Sequence, residues 1–116
     1  MALPELLEAL HEIEELDWIR VMYCYPTETN KALLTTMARL PKVVKYVDIP
    51  LQHSHPDVLA AMARPKHPEK VMDLIRENLP GVKIRSTFIV GFPGETEEHF
   101  EHLYNFIDRY RFDRLG

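Results

Sequence analysis

Short runs rich in β-branched and aromatic residues alternate along this chain with amphipathic helical runs, and a proline stands at nearly every junction. Proline fits a helix's first turn but cannot donate to a strand ladder, so it divides the sequence into units. Leu3, Leu6, Leu7, Leu10 and Ile13 recur at helical spacing around Pro4 and predict a helix over 4–15. Asp17 to Tyr25 reads as a strand stopped by Pro26, and Val43 to Ile49 as a second stopped by Pro50. Between them Thr29 can cap a helix carrying Leu33, Leu34 and Met37, ended by Pro41. Pro56 opens a short helix through Met62. Pro68 opens another with Val71, Met72, Leu74, Ile75 and Leu79 as its apolar positions, closed by Pro80-Gly81. Lys83 to Val90 is the third strand, and Gly91-Phe-Pro-Gly94 a tight turn. Thr96 can cap a last helix with Phe100, Leu103, Phe106, Ile107 and Tyr110 on one face, and a fourth strand begins at Phe112.

Strands separated by helices through short connections give right-handed βαβ units and a parallel sheet, which places the chain in the α/β class. With 116 residues there is room for one core. The first helix has no strand before it and the fourth strand barely starts, so the expectation is a piece of a larger barrel or sheet. Its unpaired strand edges point to self-association. A net charge of −4 gives no general attraction to phosphate backbones, so strong nucleic-acid binding is not expected. No apolar run approaches the roughly 18 residues of a membrane span, and the acidic start is unlike a signal peptide, so a cytoplasmic location is expected. A single cysteine, Cys24, excludes an internal disulfide and any site of several thiolates within these residues.

Ligands of parallel α/β folds bind beyond the carboxyl ends of the strands. The segments there are Cys24-Tyr-Pro-Thr27, Ile49-Pro-Leu-Gln-His-Ser-His55 and Val90-Gly-Phe-Pro-Gly-Glu95. Turns use such residues too, but three polar or glycine-rich segments at one edge favour a site. The glycine spacing at 91–94 matches neither phosphate-binding fingerprint. Gln52 offers donors and an acceptor to a polar ligand, or to its own loop backbone. Arg85, within an apolar strand, calls for a carboxylate, either Asp48 or one on a ligand. Arg64 can reach a ligand anion or the last carbonyls of its helix. Cys24 has no basic neighbour and reads as a buried structural thiol. His53 and His55 lack further ligands nearby in sequence, so no metal site is expected. His99 and His102 read as a solvated helix face.

Three strings stand at these loops. They are Arg20-Val-Met-Tyr-Cys-Tyr-Pro26; Tyr46-Val-Asp-Ile-Pro-Leu-Gln-His-Ser-His-Pro56 with Met62-Ala-Arg-Pro65; and Arg85-Ser-Thr-Phe-Ile-Val-Gly-Phe-Pro-Gly-Glu-Thr96 leading to Phe112-Asp-Arg-Leu-Gly116. Together they resemble the middle of the radical S-adenosylmethionine domain of the bacterial methylthiotransferases. The Asp48-to-His53 string is closer to the RimO branch, which modifies an aspartate of a small-subunit ribosomal protein, than to the tRNA-modifying MiaB branch.

The resemblance implies a partial (β/α) TIM-like barrel of which residues 1–116 are the central part. It further implies 4Fe-4S clusters, one of which reduces and cleaves S-adenosylmethionine, and a radical that abstracts hydrogen from the aspartate β-carbon before a methylthio group is added. By that analogy Gln52 and Arg64 belong to the S-adenosylmethionine pocket and the strand end at Val90-Gly91 holds the adenine, while Arg85 and Tyr25 face the barrel interior. The family's Cys-x-x-x-Cys-x-x-Cys motif is not in these residues, nor are its N-terminal and C-terminal domains. The chain alone is therefore expected to be catalytically silent. The rival from another class is a binding module for an adenosyl ligand or a protein.

Overall fold

A computed structural model describes residues 2–116. Its elements are α1 (Leu3–His11), a 3₁₀ turn (Pro26–Glu28), α2 (Lys31–Arg39), β1 (Tyr46–Asp48), α3 (Pro56–Ala61), α4 (Pro68–Asn78), β2 (Lys83–Ser86), α5 (Glu97–Tyr110) and β3 (Arg114–Leu115). The strands form one parallel sheet in the order β1-β2-β3, with Val47 opposite Ile84 and Arg85 opposite both Asp48 and Arg114. The α/β class and the parallel topology agree with the sequence reading, and so do the proline-led starts of α1, α3 and α4.

The predicted first strand is instead an extended lane beside β1. Ile19 bridges Val43, and the Cys24 N–H donates to the Asp48 carbonyl at 2.7 Å. Between these points Tyr23 takes a left-handed φ of 57°, and its N–H turns to Asp48 Oδ2 at 3.4 Å. That turn interrupts the ladder, and the run does not become a strand. The lane continues the sheet's order on the side of β1 away from β2, so four chain segments end along one carboxyl edge.

Other details also differ from expectation: β1 is confined to Tyr46–Asp48 rather than 43–49, β2 ends at Ser86 rather than Val90, and β3 starts at Arg114 rather than Phe112. α1 ends at His11 rather than 15, with only Leu7 buried and Ile13 exposed. The cap of α2 is Asn30, whose Oδ1 accepts from the Leu33 N–H at 2.9 Å; Thr29 one residue earlier donates its hydroxyl to the Tyr25 carbonyl. Phe100 lies on the exposed side of α5 rather than in the core.

The core lies between the helices and the sheet face carried by Val47, Ile49 and Ile84, closed by Leu34 and Met37 of α2 and Met72 and Ile75 of α4, all at 0% exposure. Each such side chain contributes roughly 1.5–3 kcal/mol by leaving water. On the same face Ser86 is fully buried. Its hydroxyl donates to the Ile49 carbonyl at 2.8 Å and accepts from the Leu51 N–H at 3.2 Å, holding the end of β1 against β2. Lys45 closes the end of α2, its Nζ donating to the carbonyls of Met37, Leu40 and Val43, and burial pulls its pKa down.

Candidate functional site

Beyond β1 the chain does not stop at Pro50. Gln52 N–H donates to the Thr87 carbonyl at 2.8 Å, and Ile89 N–H to the Gln52 carbonyl at 2.8 Å. These two bonds extend the β1–β2 pairing to the sheet's edge, where Gln52 bridges Phe88. Gln52 adopts a φ of 74°, a conformation that L residues other than Asn and Asp rarely take. Its Oε1 is buried without a hydrogen-bond partner, so the reading in which its carbonyl oxygen serves the local backbone does not hold. A strained backbone and an unsatisfied acceptor coincide at the strand's carboxyl end, a combination typical of binding sites.

Arg64 reaches this edge from the turn between α3 and α4. Ala63, at φ 56°, reverses the chain after α3, and Arg64 N–H closes the turn on the Leu59 carbonyl at 2.8 Å. Arg64 does not satisfy its own helix. Its Nη2 donates to the Pro50 carbonyl, its guanidinium lies over the Tyr25 ring at 4.8 Å, and its Nε is buried without a partner. Tyr25, Pro50 and Arg64 thus meet at one place, two residues from Gln52.

Val90 and Gly91 lie one lane across, exposed at the end of β2. Gly91 takes φ 75° and a Cβ there would meet no atom, so backbone conformation rather than space requires the glycine. Its N–H donates to Glu95 Oε2 at 3.1 Å, while Glu95 Oε1 accepts from the fully buried His53 Nε2 at 2.9 Å. Sequence reasoning missed this pair. The only signal was Glu95 closing the Gly-Phe-Pro-Gly-Glu string.

Arg85 does not join the cluster. It sits inside β2 on the face bearing Asp48 and Arg114, exposed rather than enclosed, so burial does not demand an anion there. Asp48 instead receives the Tyr23 N–H. Cys24 is buried, and burial first, then the neighbouring Asp48 charge, push its thiol pKa up. A thiol so held is poorly suited to ligate metal. The reading of His99 and His102 as a solvated face holds for His102, which stays exposed, but not for His99, whose side chain is 16% exposed. His99 packs against His55 with ring centroids 4.3 Å apart, and His102 Nδ1 lies 2.7 Å from Ser54 Oγ.

A parallel α/β sheet whose carboxyl edge carries polar groups open to a ligand, here Gln52 Oε1 and Arg64 Nε, is the arrangement of the barrel enzymes. The sequence profile of the radical SAM superfamily matches residues 1–107, and the chain belongs to that superfamily. Its relatives include the ribosomal protein uS12 methylthiotransferase RimO of Prochlorococcus marinus strain MIT 9303, 53% identical over 97% of this chain and 24% of that protein. The RimO proteins of Synechococcus sp. strain CC9605 (52% identical over 98% of this chain and 25% of that protein) and Desulforamulus reducens (48%, over 98% and 26%) are also similar. The chain spans about a quarter of the length of these curated relatives. Membership implies S-adenosylmethionine and a 4Fe-4S cluster. The residues described fit the first, through the open acceptor of Gln52 and the free Nε of Arg64. They do not fit the second, since the one cysteine is buried with a raised pKa. Among the described residues no helix is long and apolar enough to cross a membrane.

Proposed function

We propose that residues 1–116 are the central part of the radical-SAM domain of a ribosomal protein uS12 methylthiotransferase of the RimO type, acting in the cytoplasm. The observation that carries this reading is 53% identity to a RimO protein across 97% of the chain. In this reading the substrate is an aspartate of the small-subunit protein, methylthiolated at its β-carbon. S-adenosylmethionine supplies the radical precursor when a cluster held by cysteines outside these residues is present.

The part of this chain is to bind and orient. Gln52 offers its carbonyl oxygen to a donor on the ribose or adenine, because that oxygen is buried with nothing else to accept from. Arg64, clamped on the Pro50 carbonyl and the Tyr25 ring, presents its remaining N–H groups to the methionyl carboxylate. Main chain at Val90 and Gly91, unobstructed by a side chain at 91, lies flat against the adenine. Arg85, on the open sheet face, turns toward the barrel interior. Self-association of the isolated chain through the outer edge of β3 belongs to the same reading.

The test is a segment exchange. This chain replaces the corresponding quarter of a RimO relative, and uS12 and tRNA are each assayed for methylthiolation by mass spectrometry. Modified uS12 and unmodified tRNA are expected; modification of tRNA alone would overturn the substrate assignment. In the same protein Gln52→Ala is expected to weaken S-adenosylmethionine binding at unchanged iron content, and an unaltered binding isotherm removes Gln52 from the pocket.

A further inference from the structure

Three imidazoles and a carboxylate converge where the loop after β1 meets the start of α5. His55 packs against His99 with ring centroids 4.3 Å apart and against His102 at 4.9 Å. Asp57 Oδ2 lies 3.9 Å from His55 Nδ1 and 3.8 Å from His99 Nε2. One ligand atom from each of His55, Asp57 and His99 falls within 4.8 Å of the other two. We propose that these three residues bind a divalent transition metal of the zinc class.

A tetrahedral zinc with bonds of about 2.1 Å holds its donors roughly 3.4 Å apart. The carboxylate must therefore approach each imidazole by a few tenths of an ångström, and the two imidazole nitrogens, which lie within 4.8 Å of each other, must close together by rotation of the His55 and His99 rings. Asp57 is free to make its approach, its side chain being 79% exposed. Two imidazole nitrogens with one carboxylate oxygen suit zinc, cobalt, nickel or copper far better than magnesium or calcium, which take oxygen ligands. Water completes the coordination from the open side.

Proton bookkeeping sets the competition. His55 Nδ1 accepts from the Asp57 N–H at 3.1 Å, and His99 Nδ1 from the Thr96 N–H at 3.1 Å. A metal on His55 Nδ1 displaces the first bond. A metal on His99 Nε2 moves the ring proton to Nδ1 and displaces the second. Both N–H groups sit in exposed caps where water can replace the lost acceptor, so neither bond bars the ion. Binding joins the loop that carries Gln52 to α5, a second tie beside the one made by His53 and Glu95.

The test is calorimetric titration of the 116-residue chain with zinc chloride at about pH 7.5, where imidazoles are available as ligands. One ion per chain is expected. Asp57→Asn and His99→Gln are each expected to weaken uptake more than about tenfold. His67→Gln, which alters an exposed imidazole paired with Glu69, is expected to leave it unchanged. Zinc is also expected to raise the Tm of the parent chain and of His67→Gln but not of Asp57→Asn. His99→Gln alters the α5 cap, whereas Asp57→Asn changes an exposed side chain away from the core and keeps the comparison decisive. No zinc uptake by the parent chain, or uptake unchanged in both Asp57→Asn and His99→Gln, overturns the proposal.

Discussion

His53 and Glu95 stand 42 residues apart in the chain and meet at 2.9 Å, imidazole Nε2 against carboxylate Oε1, with side-chain exposures of 0% and 6%. The other ring nitrogen accepts from the His55 N–H at 3.1 Å, which places the ring proton on Nε2 and aims it at Glu95. The second carboxylate oxygen takes the Gly91 N–H. One side chain therefore fastens the loop after β1 to the turn after β2, the two segments that bring Gln52 and Gly91 to the carboxyl edge.

Glu95→Ala leaves a buried N–H without an acceptor, and the expected loss of stability is about 2 kcal/mol. Glu95→Gln keeps an oxygen that can take one of the two donors and should lose about half as much. Urea denaturation of the three proteins checks the order, and equal midpoints would show that the carboxylate fastens nothing.

Acidification should weaken the same junction. Burial lowers the His53 pKa, and the Glu95 charge and hydrogen bond only partly oppose it. With the folded value below the unfolded value of about 6.5, the unfolded chain takes up the proton first, so stability is complete above about pH 6.5 and falls as the pH drops toward the folded value. His102, lowered chiefly by burial, acts in the same direction. Urea midpoints between about pH 7.5 and 5 should fall, and His53→Gln should flatten the slope; an unchanged slope would assign the pH dependence elsewhere.

What was legible in the sequence is what local chemistry decides. Pro56, Pro68 and the Thr96 cap start their helices where they stand, and the parallel order follows from alternation of strand and helix runs. The lane at 19–24 was misread as a strand because its aromatic and β-branched residues do favour one, while the turn at Tyr23 depends on Asp48, 25 residues away. His99 was misread for a related reason. Helical periodicity puts it beside charged residues, and only the fold brings the 53–55 loop over it. Gln52 and Arg64 stood out by position, but the buried unpartnered atoms that distinguish them exist only in three dimensions.

Ser86 makes a sharp test of how the edge is held. Its hydroxyl, fully buried, serves both the Ile49 carbonyl and the Leu51 N–H. Ser86→Ala strands both backbone groups away from water and should cost about 2–3 kcal/mol. Ser86→Thr keeps the hydroxyl but adds a methyl to a closed site, so it should retain the hydrogen bonds while losing about 1–3 kcal/mol to overpacking. Amide exchange at Leu51 separates the two, being faster in Ser86→Ala and unchanged in Ser86→Thr; equal exchange in both would mean that the hydroxyl is not what protects the amide.

At Gln52 stability and binding should part company. Its φ of 74° strains any residue with a Cβ, and glycine alone adopts it without penalty. Gln52→Ala and Gln52→Gly both remove the amide, so their difference isolates the backbone. The glycine variant should be the more stable by about 1 kcal/mol despite the greater freedom of its unfolded chain. Affinity for S-adenosylmethionine, measured in the cluster-bearing protein, should fall by a similar factor in both, because both lack the Oε1 that is buried without a partner. A glycine variant less stable than the alanine one would show that the backbone relaxes once the side chain is gone. Binding retained in both would place the acceptor for the ligand elsewhere on the edge.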